Sequence, residues 1–403
     1  MLSGLGRTER VLLAAVAVVT VLAGVARYAH GVSQVLAFVL ATLALAGQAW
    51  IVSLCTEQIG RRLGPAVTGL MQSTVGNLPE FFVVIFALQA GQRIVAETAI
   101  LGSIFVNALL VLGLVIVAGA WHARDGVMRF SPRLPNDTAT LLLLSAFIIV
   151  SIGLANAAHD PASHHAKTIS IIGAAAILVV YGFWLRQYLR SEGHPGSATS
   201  PGPQGHPGSE PRPGPEDPDG PQGHPGSEPR PGPEDPDGPE GRKDGDAGKP
   251  GLAMSTSVAL LVIAGGASAF VSDWFVHALQ PTIHMLHISQ AFAGLVIVAI
   301  AGNAVENVAG IVLASRGRSE LAISVVKNSI AQIAAFLYPL LVLVSLLTAT
   351  TLTFALAPVY IGALFGTAVI VWQVTGDGEA TAFEGVALIA TFVILATVAA
   401  FET

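Results

Sequence analysis

Gly76-Asn77-Leu78-Pro79-Glu80 and Gly302-Asn303-Ala304-Val305-Glu306 interrupt two otherwise apolar runs, and each sets a carboxylate where lipid would be expected. A carboxylate near the bilayer centre is penalised by about 3 kcal/mol on insertion scales, and such residues persist where they face a bundle interior or an ion path. A Gly-Asn pair just ahead of the acid indicates a locally broken helix, whose freed carbonyls can bind a cation. The echo continues downstream: Gly102-Ser103-Ile104 follows the first Gly-Asn at the same distance as Asn328-Ser329-Ile330 follows the second. The chain is therefore expected to carry a duplicated ion-handling unit.

Composition supports a membrane setting. Of the 403 residues, 52% are hydrophobic and 11% charged, far from the soluble average. The net charge of -6 is misleading, because much of the acid lies in one central segment. A single cysteine, Cys55, excludes an intrachain disulfide framework and a cysteine-based metal cluster. No basic stripe exists for nucleic acid. The first apolar run follows Arg7 and Arg10 as a signal peptide would, but without a convincing small-residue cleavage site, so it is taken as a retained helix. Arginine outnumbers lysine and Ala, Gly and Val dominate, which suggests a GC-rich bacterial source.

Stretches near the spanning length of about 20 residues occur at 11–29, 33–54, 65–90, 95–120, 138–158, 167–187, 252–272, 289–314, 320–349, 351–372 and 382–401. The expected fold is all-α and polytopic, with eleven transmembrane helices: one leading helix in 1–32, a five-helix repeat in 33–187 and another in 252–403. The run at 320–349 is long enough to tilt or to contain a break.

Between the repeats, 188–251 differs in kind. Gln204–Pro221 recurs unchanged as Gln222–Pro239, rich in Pro, Gly, Glu and Asp, and buries too little apolar surface to offset its ordering entropy. A disordered linker is expected, with His206 and His224 solvated rather than metal-binding. Lys and Arg counting places Arg61, Arg62, Arg124, Arg129, Arg133, Arg186, Arg190, Arg316 and Arg318 on the side of the amino terminus, against Arg27, Arg93 and Lys167 opposite. That bias predicts a cytoplasmic amino terminus and linker and an extracellular carboxy terminus. An odd number of helices per half forces the repeats into opposite orientation, an architecture of transporters.

Glu80 and Glu306 would then approach one depth from opposite sides. Their mutual repulsion is resolved by a bound cation or by protons, which couples departure of one to arrival of the other. Oxygen donors near them are Ser73, Thr74, Asn77, Ser103, Asn107, Asn303, Ser329 and Gln332, with carbonyls freed around Gly76 and Gly302. Hard donors without Cys or His favour calcium, sodium, magnesium or manganese over zinc or copper.

Structural roles compete for several of these residues. Ser103 and Ser329 could bond a neighbouring helix backbone, Asn77 and Asn303 could cap the breaks, and Pro79 removes a donor at the first one. Glu57 and Asp273 are placed near helix ends and solvated, and Asp377, Glu379 and Glu384 in a solvated turn. Lys327, about two turns into the ninth span, either snorkels to the surface or lies close to the Ser329 and Gln332 side as a charge that competes with the cation.

Four stretches carry a family resemblance: Glu57–Glu80 followed by Leu101–Gly113, then Ile288–Asn307 continuing to Ser329–Leu343, with Asp377–Gly385 before the final helix. They resemble the calcium/proton antiporter branch of the cation/calcium exchanger superfamily over nearly all of the chain outside the linker. The resemblance implies an eleven-helix fold, cation binding by Glu80 and Glu306, and proton counter-transport, with no cofactor beyond the transported cation, calcium, and membrane lipid as surroundings. It also implies a transporter of a bacterial inner membrane rather than an enzyme. Asn307 stands where many members have His, Val106 and Ile330 where relatives often have Ser, and Asn328 where many have Gly. A sodium or potassium/proton antiporter on the same fold is the alternative, and a passive cation channel a third reading.

Overall fold

In hydrocarbon every backbone N–H and C=O must be satisfied within the protein, so long apolar runs fold as helices. The computed structural model describes residues 5–63, 71, 74–192 and 252–402, with side chains at all of these except 61, 133, 134, 188–192, 305 and 306. The linker expected at 188–251 lies outside the described residues from 193 onward.

In the first half, α1 (Arg7–Tyr28), α2 (Gln34–Leu63), α3 (Leu78–Gln89), α4 (Arg93–His122), α5 (Arg133–Ala157) and α6 (Ala166–Glu192) follow in order. The second half holds α7 (Met254–Leu286), α8 (Gln290–Gly302), α9 (Ala304–Ser315), α10 (Ser319–Leu347), α11 (Pro358–Thr375) and α12 (Ala382–Ala400). Among the described residues nine helices are long and apolar enough to cross a membrane, ten if the bent pair α8 and α9 is one span. With the shorter α3, each of the eleven expected spans holds a helix in its described part.

Three helices depart from their expected limits. α2 runs to Leu63 and α7 to Leu286, well past the expected ends at 54 and 272. Hydropathy measures the apolar length, whereas a helix continues until a breaker stops it; α7 stops where His287 turns left-handed at φ 53°. Glu57 and Asp273 therefore lie inside helices rather than at their ends, both on exposed faces. The expected start of α11 at 351 is also too early. Residues 348–357 are not helical. Thr348 Oγ1 lies 2.8 Å from the carbonyl oxygens of both Ser345 and Thr350 and can donate its one proton to either, the kind of local bond that competes with helix. Pro358 then supplies the first-turn residue.

The turn expected at Asp377–Glu384 is built rather than merely solvated. Strands β1 (Val127–Arg129) and β2 (Glu379–Thr381) pair antiparallel, with Met128 opposite Ala380. Arg129 reaches Asp125 at 2.6 Å and Glu379 at 3.3 Å, and the hydrogen bond from Arg129 holds the Asp125 carboxyl below the usual carboxylate range. Thr381 and Glu384 form a capping box that starts α12.

The two halves interlock through their broken helices. α3 packs on α7 of the second half, while α8 and α9 pack on α2 of the first. α4 crosses α8 so closely that a β-carbon on Gly102 would fall 2.3 Å from the Leu295 carbonyl oxygen, and one on Gly294 would fall 2.0 Å from Thr98 Oγ1. Only glycine fits either crossing.

Each central helix also carries a π-helical segment at the matching place: Val106–Val111 in α4 and Ile333–Leu337 in α10, beginning just beyond Ser103 and Ser329. The expected break in the 320–349 run takes this form. π-turns inside α-helices are frequent at functional sites.

Candidate ion-binding site

Asn303 separates α8 from α9, and across it the two segments bend by 62°. In the first half Asn77 occupies the equivalent place before α3, and Pro79 sits in the first turn, where its missing N–H costs nothing. Both asparagines stand at helix starts, yet neither side chain caps. Asn303 instead donates Nδ2 to Ser103 Oγ and to the Ala299 carbonyl, each at 3.0 Å. The capping role considered for it gives way to a bond between the two halves.

Around this bond the polar residues are buried. Glu80 is 4% exposed, and a β-carbon on Gly302 would lie 3.9 Å from Glu80 Cβ. The acid of the first motif thus abuts the break of the second. Ser272 Oγ of α7 donates to the Pro79 carbonyl at 3.3 Å, and Asn107 Nδ2 donates to the Ser103 carbonyl at 2.8 Å. Ser103, Asn107, Asn303, Ser329 and Gln332 are all buried. Asn77 Nδ2 and Ser329 Oγ are buried without a hydrogen-bond partner among the described residues. Buried orphans carry a desolvation cost of about 1–3 kcal/mol each, which a ligand can relieve.

Not every candidate joins this group. Thr74 is exposed, one turn before the break, and its hydroxyl reaches back to the Met71 carbonyl at 3.4 Å. Ser73 lies outside the described residues, as does the side chain of Glu306; the backbone of Glu306 falls in the first turn of α9. The buried amide Asn307 was noted in the sequence only for differing from relatives. Its Oδ1 is orphaned too, as is that of Asn328, a position matched to Gly102.

Lys327 leaves the group altogether. Its side chain is fully buried and does not snorkel; Nζ donates to Thr375 Oγ1 of α11 at 2.9 Å. Residues two apart on an α-helix diverge by about 200°, so Lys327 and Ser329 leave α10 on opposite sides. Proximity in sequence is not proximity in a helix.

A family description places the whole arrangement. The profile of the sodium/calcium exchanger protein family matches residues 33–186 and 256–401. The chain belongs to that family. This exchanger is 28% identical over 374 residues to a Ca(2+)/H(+) antiporter of Synechocystis, covering 91% of each chain. It is 27% identical over 361 residues to a vacuolar calcium ion transporter of Schizosaccharomyces pombe, covering 89% of this chain and 77% of that one. Among solved structures, native YfkE superposes with a TM-score of 0.70 at 21% identity, covering 97% of the exchanger and 99% of YfkE. An H+/Ca2+ exchanger called CAX gives a TM-score of 0.70 at 14% identity, covering 98% and 91%. At such identities the two structures establish the shared fold. The exchanger is thus a membrane protein of the cation/calcium exchanger type.

Proposed function

We propose that the protein exports calcium in exchange for protons by alternating access, with Glu80 and Glu306 as the groups that bind one or the other. The observation that carries this reading is the approach of Glu80, buried, to Gly302 at the break of the opposite repeat. A buried carboxylate there is stable only when neutralised, either by a cation or by protons, so its two occupied states are the two transported species. The names of a bacterial and a fungal relative speak of calcium, and those of the bacterial and a rice relative speak of proton exchange, which supports calcium over the alkali cations.

In this scheme Asn77, Ser103, Asn303, Ser329 and Gln332 supply neutral oxygens beside the carboxylates, with carbonyls freed at Gly76 and Gly302. Mixed carboxylate, amide and carbonyl oxygen is the donor set calcium takes. The amino terminus and linker face the cytoplasm of a bacterial cell, the carboxy terminus faces outward, and membrane lipid surrounds the helices.

Purified protein in proteoliposomes under an imposed pH gradient tests the reading. Calcium should move against its own gradient when protons run down theirs. Equal driven movement of sodium or potassium with none of calcium would transfer the assignment to the alkali cations, and movement only down the cation gradient would make the protein a channel.

A further inference from the structure

One cavity has a chemistry opposite to that of the paired motifs. It encloses 260 Å³ between the end of α1, the connection to α2 and the far end of α7, and its lining includes Arg27, His30, Gln34, Trp274 and His277. No Asp or Glu is among its lining residues. Asp273, one turn before His277, is exposed on α7 and does not line it.

Arg27 is the informative residue. Charge counting leaves it as one of few basic residues on the side opposite the amino terminus. Its guanidinium carbon lies 5.3 Å from the centre of the Tyr28 ring, yet Nε is buried with no hydrogen-bond partner among the described residues. A buried guanidinium donor left open costs more than a neutral one and favours an anion that can accept from it.

The cavity also lies at the level of the membrane surface. Residues 29–33 join two spans, and His277 is about 35 Å along α7 from Met254 at 1.5 Å per residue, close to one full crossing. Trp274 packs against Gly24, and Tyr28, about one turn further along α1, is 69% exposed, the placing of aromatic residues in an interfacial belt. Immediately below, Val21 and Val25 present 65% and 57% of their surface outward along α1, a track for acyl chains.

We infer that the cavity between α1, α2 and α7 binds the phosphate of an anionic membrane phospholipid, with Arg27 as the principal donor. Arg27 donates to the phosphate oxygens, His30 and His277 add polar donors at the rim, and the acyl chains follow the outward face of α1. Basic pockets between transmembrane helices recognise lipid headgroups in this manner. A free phosphate would satisfy the same donors but gains nothing from the apolar track, which favours the lipid.

Native mass spectrometry of the delipidated full-length protein, titrated separately with phosphatidylglycerol, phosphatidylcholine and inorganic phosphate, decides the matter. Wild type should retain phosphatidylglycerol over phosphatidylcholine, and Arg27→Gln should weaken that retention about tenfold, the loss of one charge-assisted contact. Arg27→Lys keeps the charge and should keep most of the preference, which separates loss of the anion contact from loss of fold. Equal retention of the two lipids, an unchanged Arg27→Gln, or an Arg27→Lys as weak as Arg27→Gln overturns the inference. Displacement of phosphatidylglycerol by equimolar inorganic phosphate also overturns it, in favour of a free-anion site.

Discussion

Asn303 Nδ2 and Ser103 Oγ meet at 3.0 Å, joining the break of the second repeat to the central helix of the first. Both residues are buried, so this bond is shielded from water and ties together the elements that alternating access would move. A double-mutant cycle with Ser103→Ala and Asn303→Ala should give a coupling energy of about 1 kcal/mol in thermal unfolding, the net worth of one buried hydrogen bond. Coupling near zero would mean that the bond is not formed in the membrane.

Glu80→Gln and Glu306→Gln should each leave the protein inserted and folded, because removing a charge lightens the insertion cost. Each should reduce proton-driven calcium uptake to the level of empty liposomes, since the proposed scheme makes ligand and proton site the same group. Wild-type coupled transport in either variant sinks the carboxylate mechanism.

The glycine crossings make a prediction about stability rather than transport. Gly102→Ala drives a methyl into the Leu295 carbonyl and should destabilise by at least about 1–3 kcal/mol, the range for overpacking. Gly182→Ala is the control: a β-carbon there meets nothing within 4 Å, and helix propensity should stabilise by up to about 1 kcal/mol. Melting temperatures of the two variants should move in opposite directions.

Lys327→Met should leave the calcium KM within about twofold of wild type, well under the tenfold that 1.4 kcal/mol would bring, because the ammonium points to Thr375 and away from Ser329. It should also be neutral or stabilising by about 1–4 kcal/mol, as found when buried charged groups give way to apolar residues of similar volume. A large rise or fall in KM would return Lys327 to the ion path.

Deleting Gln222–Pro239 removes one of two identical copies and should leave transport rate unchanged, since a sequence so rich in Pro, Gly and acid has little apolar surface to contribute to the core. Loss of transport at normal expression would assign the linker a regulatory contact.

Much of this was legible because membrane sequences are read on one dominant scale. Apolar length locates every span, and the Gly-Asn pairs located the breaks, where Asn303 indeed parts α8 from α9. Ends were less legible: α7 outran its apolar window by nearly four turns of helix, roughly 14 residues at 3.6 per turn, because even Pro281 within it does not stop it before His287. Lys327 was misplaced because its distance from Ser329 was judged along the chain and not around the helix. The strand pair at Met128 and Ala380 carries no periodic signal at three residues a side and joins segments remote in sequence.

The π-segments have an angular consequence. A π-turn takes in one residue more than an α-turn, so everything in α4 beyond Val111, and everything in α10 beyond Leu337, is rotated by about 100° from where an unbroken helical wheel would put it. Each core helix is thus two wheels out of phase, joined just beyond the buried serine that each repeat carries, Ser103 or Ser329. Excising a single residue from Val106–Val111 would bring the halves of α4 back into phase and turn Gly113 away from Gly385, whose backbone it now touches.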